Sequence, residues 1–338
     1  MFIPRIFALL LLLHTSPLLY AQGDPEAGDA NQNGTATAPP DSVVRYASKP
    51  TGFEFVSNIW GDLKTFVRRI DPKKNYKPLI GLTLGTALLV KYDQDILDES
   101  QRFARDLGLI SDTKNGRESK MIIDFSAAGL DLPVRAPLNL NAGMYFIGDG
   151  ITHVSIAGGL ATYGAIYDDY RALNTASQIM EGIIVTGIVV QVIKRSTGRE
   201  SPYRATRDGG RWDLFPSQSD YSGEVSKYDA MPSGHLATAM ATTTILAANY
   251  PEKTWIKPTG YTLMGLLGFA MMNNGVHWAS DYPLGIAIGY LAGDIAVERG
   301  KKRRASAQAG GHTLAQRGYF SPYLDGNKVY GIAYNYHF

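Results

Sequence analysis

Hydrophobic residues recur along the chain in separated stretches whose spacing or length is typical of helices. Between residues 53 and 70, apolar positions return every three to four residues, which predicts an amphipathic helix. Residues 78–90 are strongly apolar, and we expect the charged run 91–95 to end or turn that helix. Residues 96–109 are more polar but keep a helical period, so a second helical segment is predicted there.

The remaining apolar runs are rich in alanine, glycine and leucine. From the apolar runs we expect about six helices in the core. They cover residues 142–147, 151–167, 179–193, 236–249, 261–272 and 284–297. None of these runs holds twenty clean apolar residues, so the pattern fits a buried helical bundle at least as well as a chain with several membrane spans. Both alternatives stay open at this point.

The last twenty residues follow a different pattern. From Tyr330 to Tyr336 large apolar side chains stand at every second position, and Asp325-Gly326 offers a turn. This alternation predicts a β-hairpin, packed on the helical part. Two strands are too few for a closed barrel. The predicted fold class is therefore all-α: a helical bundle with a small C-terminal β-hairpin.

The N-terminal residues predict export. Arg5 precedes a leucine-rich run, and Ala21 follows as a small residue at a plausible cleavage point, so residues 1–21 are typical of a removed secretory signal. Residues 22–50 have little apolar content and predict a disordered linker. We expect the helical domain at residues 51–304, then a linker and the hairpin at 305–338. The periplasm or cell envelope is the expected location.

Composition narrows the chemistry. The 338 residues include 33 Lys and Arg against 31 Asp and Glu, so the net charge of +2 does not favour a nucleic-acid partner. The absence of cysteine excludes disulfides, thiol catalysis and thiolate metal sites. Asp93 and Asp95 are too sparse for a metal site, and no partner cluster follows them.

The stretch Met231-Pro-Ser-Gly-His235 holds the clearest candidate chemistry. An apolar run follows it directly, so Ser233 stands where a helix N-cap is expected. Unpaired N–H groups and the helix dipole make such an end a site for anions. The motif alone is also compatible with an ordinary capped helix that carries a surface histidine.

Two other stretches strengthen the functional interpretation. Upstream, Lys194 closes an apolar helix and is followed by a long polar loop, residues 195–231, of a length that usually indicates function or disorder. Downstream, His277 and Asp281 are four residues apart, which on a helix would let the carboxylate hold one ring nitrogen.

Together these stretches resemble the type 2 phosphatidic acid phosphatase and vanadium haloperoxidase superfamily. Its signature, K-x6-R-P, P-S-G-H and S-R-x5-H-x3-D, is matched in order and spacing within residues 75–300. Two departures stand out. Ser201 occupies the arginine position of the first part, and Ala270-Met271 replaces Ser-Arg in the third. Both arginines that would bind phosphate are therefore absent.

The resemblance implies roles for the matching residues. His277, oriented by Asp281, would be the nucleophile and form a phosphohistidine, and His235 would be the general acid. Three further groups would hold phosphate oxygens: Lys194, Ser233 and the Gly234 amide.

Arg199 and Arg204 are candidates to replace the missing arginines. No metal or other cofactor is implied.

The function predicted from these residues is an exported, metal-independent phosphatase. Its partner would be a phosphorylated lipid or a small phosphoester, with membrane association open and no nucleic acid. The first alternative is a catalytically impaired member that binds a phosphorylated ligand or serves as an envelope structural protein. A vanadium haloperoxidase is the second. The sequence does not predict the oligomeric state.

Overall fold

The computed structural model describes residues 46, 48–109, 119–127, 130–309, 319–325 and 328–335. The secretory signal expected at residues 1–21 and nearly all of the linker expected at 22–50 lie outside these ranges.

The described chain is mostly helical, and in this respect the all-α prediction is confirmed. The helices are α1 (Glu54–Ser57), α2 (Ile59–Arg69), α3 (Pro72–Asp106), α4 (Leu140–Phe146), α5 (Gly150–Ile166), α6 (Tyr170–Thr197), α7 (Gln218–Gly223), α8 (Gly234–Asn249), α9 (Ile256–Asn273) and α10 (Asp281–Ala309). Short 3-10 turns lie at Pro202–Arg204 and Val225–Lys227. Helix α10 continues past residue 304, where the sequence had suggested a linker.

Helix α3 differs from its prediction. It begins at Pro72, capped by the Asp71 side chain, which accepts a hydrogen bond from the Lys73 amide at 3.0 Å. The backbone is kinked at Asn75, and the helix then continues through residues 91–95 to Asp106, so the end or turn expected at 91–95 is wrong. Residues 91–95 contain neither glycine nor proline, and Asp93 is fully buried against other polar groups. Its carboxyl group is paired with Arg199 inside the bundle, so the polar residue does not require the helix to end.

Two antiparallel strand pairs accompany the helices. Strands β1 (Ser119–Ala127) and β2 (Leu130–Pro137) were not predicted. Proline normally disfavours a strand, but both strands of a two-stranded ladder are edges, which tolerate Pro133 and Pro137. Strands β3 (Tyr319–Asp325) and β4 (Lys328–Asn335) pair near the C-terminus. The turn of the predicted hairpin falls on residues 326–327, outside the described residues.

Helix α8 packs against α6, α9 and α10, and glycines bring these helices close together. A side chain at Gly289 of α10 would lie 2.1 Å from the Ala237 carbonyl oxygen, so only glycine fits there. Leu236 and Met240 of α8 join Leu267 of α9 in a buried apolar cluster. Small residues along the predicted helices therefore serve close packing, which fixes the loop before α8 in the bundle.

The amphipathic segment predicted at residues 53–70 forms α1 and α2 and packs on the bundle. Its polar anchor is a buried cluster in which Arg299 of α10 donates to Asp62 at 2.7 Å and Asn58 donates to Glu181 at 2.7 Å. Burial and the neighbouring Asp62 raise the pKa of Glu181 to about 9. Glu181 therefore carries a proton at neutral pH and adds no negative charge beside Arg299.

Within the described residues, α6 is the one helix whose length and apolar composition would allow it to cross a membrane. In its most apolar window, 44% is buried inside the protein. The same helix carries Lys194 in its last turn, at the site described below.

Candidate active site

Three distant segments meet at the N-terminal ends of α8 and α10. Ser233 caps α8, since its Oγ accepts a hydrogen bond from the Leu236 amide at 3.4 Å. Its own amide donates to the Asp281 carbonyl oxygen at 3.0 Å, which joins the second and third motif segments. Lys194, from the first segment, lies in the last turn of α6. The fold thus brings together the elements whose order the sequence motif recorded.

The two motif histidines face each other. The ring centroids of His235 and His277 lie 6.4 Å apart, and their planes are inclined at 70°. His235 is half-buried, whereas only 2% of His277 is exposed. Tyr145 of α4 packs on the imidazole of His235, with 4.7 Å between the two ring centroids. The edge of His277 is therefore directed at His235, and the rest of its ring is enclosed by the surrounding residues.

Asp281 contacts His277, but not through the shared helix face that the sequence predicted. The pair does not share a helix face, because His277 lies in the turn before α10 and Asp281 is the first residue of α10. Nδ1 of His277 lies 3.3 Å from Oδ2 of Asp281, and the Trp278 amide donates to the same oxygen at 2.8 Å. With Nδ1 held by the carboxylate, Nε2 is the ring nitrogen left to react.

The electrostatics of Asp281 favour its ionised form. Burial alone would raise the Asp281 pKa, but Arg199 and the contacts from His277 and Trp278 outweigh burial and hold the pKa below its usual value. The carboxylate can therefore orient the imidazole and stabilise positive charge on the ring.

Lys194 supplies positive charge at a cleft beside His235. The cleft has a volume of about 280 Å³, and its lining includes Lys194, Gly234, His235 and Asp149. Lys194 is the one cationic side chain among the described residues that line it. Its Nζ lies 3.2 Å from Asp229, an ion pair that holds the ammonium group in place.

A glycine, Gly198, sets the C-terminal end of α6. Gly198 is its C-cap and has a positive φ of 53°. A side chain there would also lie 1.8 Å from the Asp213 carbonyl oxygen. Glycine is therefore required for the chain to leave α6 one helical turn after Lys194.

The predicted oxygen-binding groups divide between the cleft and the core. Gly234 lines the cleft, with the N-terminus of α8 behind it. Ser233 and His277 are not among the lining residues. The Ser233 side chain is fully buried, where it caps the helix and lies 3.6 Å from the Met271 sulfur. Its geometry is that of a structural cap rather than of a group exposed to a ligand.

Neither candidate replacement arginine lies in the cleft. Arg199 has no exposed surface and binds the carboxylates of Asp93 and Asp281. The Arg204 side chain is 46% exposed and pairs with Glu224 at 3.7 Å on the surface. Neither arginine is positioned to stand in for the missing cations.

The positions that lack arginine are buried. Ser201 is 2% exposed, and Met271 is fully buried in the apolar cluster around α8. The thioether of Met271 lies beside Ser233, so an apolar group stands next to the P-S-G-H motif where the superfamily signature has arginine.

The polar loop at residues 195–231 is folded around buried backbone contacts. Glu200 is 2% exposed and accepts hydrogen bonds from the Thr206 amide at 3.0 Å and the Arg211 amide at 2.8 Å. The backbone of Arg199 bridges to both Trp212 and Asp229. The loop thus holds Asp229, and through it Lys194, in position.

Sequence reasoning missed several residues around the site. Asp93 gave a signal, since it lies one helical turn before Leu97 on a face with apolar periodicity; both residues are buried. Asp229, Tyr145 and Ser280 gave no local signal. Their positions depend on contacts between segments that are far apart in sequence.

Comparisons with known proteins match part of this chain. The sequence model of the PAP2 superfamily matches residues 176–304. A lipid A 1-phosphatase of Porphyromonas gingivalis is 38% identical over 68 residues, which cover 20% of this chain and 15% of that protein. The match thus spans a small part of the relative's length. No solved structure matches the chain significantly. The segment that carries Lys194, His235, His277 and Asp281 therefore belongs to the PAP2 superfamily.

Proposed function

We propose that this chain is a phosphatase that hydrolyses a phosphate monoester or pyrophosphate of a lipid through a phosphohistidine intermediate. The observation that carries the proposal is the pair of imidazoles, His235 and His277, with ring centroids 6.4 Å apart. A nucleophile about 3 Å from phosphorus and an acid about 3 Å from the leaving oxygen together require a similar span.

In the first step, Nε2 of His277 attacks phosphorus and the bond to the leaving oxygen breaks. His235 gives its proton to that oxygen, so the alcohol leaves neutral. Asp281 holds Nδ1–H of His277 and balances the positive charge that develops on the ring. The product of this step is the N-phosphorylated His277.

In the second step, water attacks the phosphohistidine. His235, now neutral, takes the proton from the water, and the P–N bond breaks to release phosphate and restore His277. Lys194 and the N-terminus of α8 at Gly234 favour the negative charge of the phosphoryl oxygens throughout.

Two observations support a lipid as the substrate. The P. gingivalis relative is named a lipid A 1-phosphatase. Apolar side chains also stand exposed on helices beside the cleft, among them Val192 of α6 with 61% of its surface exposed. These observations support a location at the membrane of the cell envelope, which the secretory signal expected from the sequence at residues 1–21 would make accessible.

A catalytically impaired member of the superfamily is the second candidate. The observation that favours it is the buried Met271 beside Ser233, where the signature has arginine. Loss of two charge-assisted arginine contacts, each about 1.5–3 kcal/mol, would cost on the order of two to four decades in rate. In this case the cleft would bind a phosphorylated ligand without rapid turnover.

Phosphate release by the purified chain tests the proposal. Wild-type protein should hydrolyse a chromogenic phosphomonoester and a phosphorylated lipid in mixed micelles, and His277→Ala should reduce both rates to background. The control is His153→Asn, which removes a buried histidine that does not line the cleft. Acid-labile, base-stable labelling from a radioactive substrate would identify the intermediate. Equal rates for the wild type and His277→Ala would contradict the enzyme proposal.

The pair Ser201→Arg and Met271→Arg distinguishes the two candidates. If the natural cleft is impaired for lack of a guanidinium, the double variant should gain at least tenfold in kcat/KM. If Lys194 and the helix N-terminus suffice, the double variant should gain nothing and should melt at a lower temperature, because Met271 is buried in an apolar cluster. Phosphate release and thermal unfolding on the same samples measure both effects.

A further inference from the structure

A buried series of charged groups continues behind the nucleophile. It runs from His277 to Asp281, then to Arg199 of the loop after α6, and ends at Asp93 of α3. We propose that Arg199 and Asp93 are positioning residues, which hold Asp281 and through it His277 in the orientation for attack. This inference rests on the proposed function and assigns Arg199 a role other than phosphate binding.

The guanidinium of Arg199 connects the two carboxylates. Its Nη1 donates to Asp281 Oδ1 at 2.7 Å and to Ser280 Oγ at 2.6 Å. Its Nη2 donates to Asp93 Oδ2 at 2.6 Å and to the Gly209 carbonyl oxygen at 2.8 Å. A planar fork with donors on both sides can bridge two acceptors in this way, whereas a lysine ammonium is a point charge.

Asp93 is held as firmly as Arg199. Its Oδ1 accepts from the Ser280 amide at 2.9 Å, and its Oδ2 accepts from Ser280 Oγ at 2.5 Å as well as from Arg199. Ser280 directly precedes Asp281. Asp93 thus fixes the turn that carries the catalytic carboxylate by a backbone contact and a side-chain contact.

The surroundings strengthen these contacts. Asp93, Arg199 and Asp281 have no exposed surface, and the rings of Trp212 and Trp278 lie 4.7 and 5.3 Å from the guanidinium carbon. Electrostatic interactions are stronger where water is excluded. Displacing any one of the three groups would leave a buried charge unpaired, so the arrangement resists movement of Asp281.

Asp93 also limits how far Arg199 neutralises Asp281. Because the guanidinium is shared between two carboxylates, Asp281 keeps negative charge to hold Nδ1–H of His277. Without Asp93, Arg199 would pair with Asp281 alone and weaken its hold on the imidazole. The second nitrogen, Nε2, would then spend less time unprotonated and directed at the phosphate.

Helix α3 lies outside residues 176–304, the segment that matches the superfamily. Asp93 therefore adds to the motif residues a group from a part of the chain that the motif does not include. This gives a reason why Asp93 is buried within the charged run 91–95, where Lys91 and Asp95 are exposed.

The test is Asp93→Asn, which keeps the shape and removes the charge, with Asp62→Asn as matched control. Asp62 is also a buried carboxylate paired with an arginine, Arg299, but it lies far from His277. We expect Asp93→Asn to lower kcat about ten- to a hundredfold, as removal of a group behind an oriented histidine commonly does, with KM within about twofold. Asp62→Asn should leave kcat unchanged.

Nitrogen NMR of histidine-labelled protein gives a readout that does not depend on turnover. The His277 signals, assigned by their loss in His277→Gln, should show a single Nδ1-protonated tautomer in the wild type and in Asp62→Asn. In Asp93→Asn they should show a mixture of tautomers. If the wild type hydrolyses no phosphoester, the proposed function fails while this measurement still decides the role of Asp93.

An unchanged kcat and an unchanged His277 tautomer in Asp93→Asn would overturn the inference. If Asp93→Asn does not fold, Arg199→Lys takes its place, since it keeps the charge but cannot bridge both carboxylates. It should fold, lower kcat and mix the tautomers. A folded Arg199→Lys protein with wild-type kcat and tautomer would equally overturn the inference.

Discussion

His153 is a buried histidine that the proposed mechanism does not use. It lies on α5 with 4% of its surface exposed. Neither ring nitrogen has a hydrogen-bond partner within the described part of the chain. Burial lowers its pKa from 6.5 to about 4. The buried His153 side chain therefore lowers the free energy of unfolding when the solution becomes acidic.

This pKa shift predicts a loss of stability on acidification. Between pH 6.5 and about 4 the unfolded chain binds a proton at His153 and the folded chain does not, so the free energy of unfolding falls as pH falls. The full effect corresponds to roughly 3 kcal/mol. Thermal unfolding of the wild type and His153→Leu should show melting temperatures that diverge in favour of the variant as pH decreases from 7 to 4. Parallel curves would contradict the prediction.

Motif spacing predicted four residues that the structure gathers at the site: Lys194, His235, His277 and Asp281. Each belongs to a short pattern whose order the chain preserves, so sequence was sufficient to find them. Arg199 was found as a candidate, but the sequence gave no basis for its orientation. Its partner Asp93 is 106 residues away in the chain. Such a contact depends on how α3 packs, which no local pattern records.

At the scale of elements, apolar periodicity predicted most helices, whereas helix ends and strands were less predictable. The charged run at residues 91–95 suggested an end to α3. The helix continues because Asp93 is buried against a partner elsewhere in the fold, which the local sequence does not show. Strands β1 and β2 escaped prediction for a similar reason, since two-stranded pairing depends on the partner strand more than on either sequence alone.

The first half of α3 carries an exposed apolar stripe. Four residues at helical spacing form it, with 53% to 65% of each exposed: Tyr76, Ile80, Leu84 and Leu88. The buried residues of α3 that the structure describes all lie further along the helix, at Asp93, Leu97 and Ala104. A contiguous apolar surface of this kind is typical of contact with an apolar phase, and under the proposed function we expect that phase to be the bilayer.

The double variant Leu84→Asp with Leu88→Asp tests this contact. Each aspartate disfavours burial in lipid by roughly 3 kcal/mol, so the fraction of protein that sediments with phospholipid vesicles should fall sharply. The fold should survive, since both side chains are exposed. Leu107→Asp, at the exposed C-terminal end of the same helix, is the matched control and should sediment like the wild type. Equal sedimentation of all three proteins would argue that the stripe does not meet the bilayer.

At the scale of the molecule, α10 connects two buried polar clusters. Asp281 at its first residue joins the network with Arg199 and Asp93, and Arg299 joins Asp62 beside Glu181. Eighteen residues separate the two ends, which corresponds to roughly 27 Å along the helix. Both clusters tie α10 to an N-terminal helix, α3 at one end and α2 at the other. These contacts hold both ends of α10 in the bundle, and glycines between them let α10 pack closely against α8.

Because the two clusters are far apart, we expect both to contribute to the free energy of unfolding. Only the cluster around Arg199 and Asp93 should affect activity. Groups more than about 10 Å apart with no common partner contribute nearly additively to the free energy of unfolding. The losses from Asp62→Asn and Asp93→Asn should therefore sum, within about 0.5 kcal/mol, in the double variant. Its kcat should equal that of Asp93→Asn alone, because the cluster around Arg299 touches neither imidazole. Denaturant unfolding and phosphate release on the four proteins measure both quantities. A further fall in kcat on adding Asp62→Asn would mean that α10 transmits strain from one end to the other, and the His277 geometry would then depend on the whole bundle.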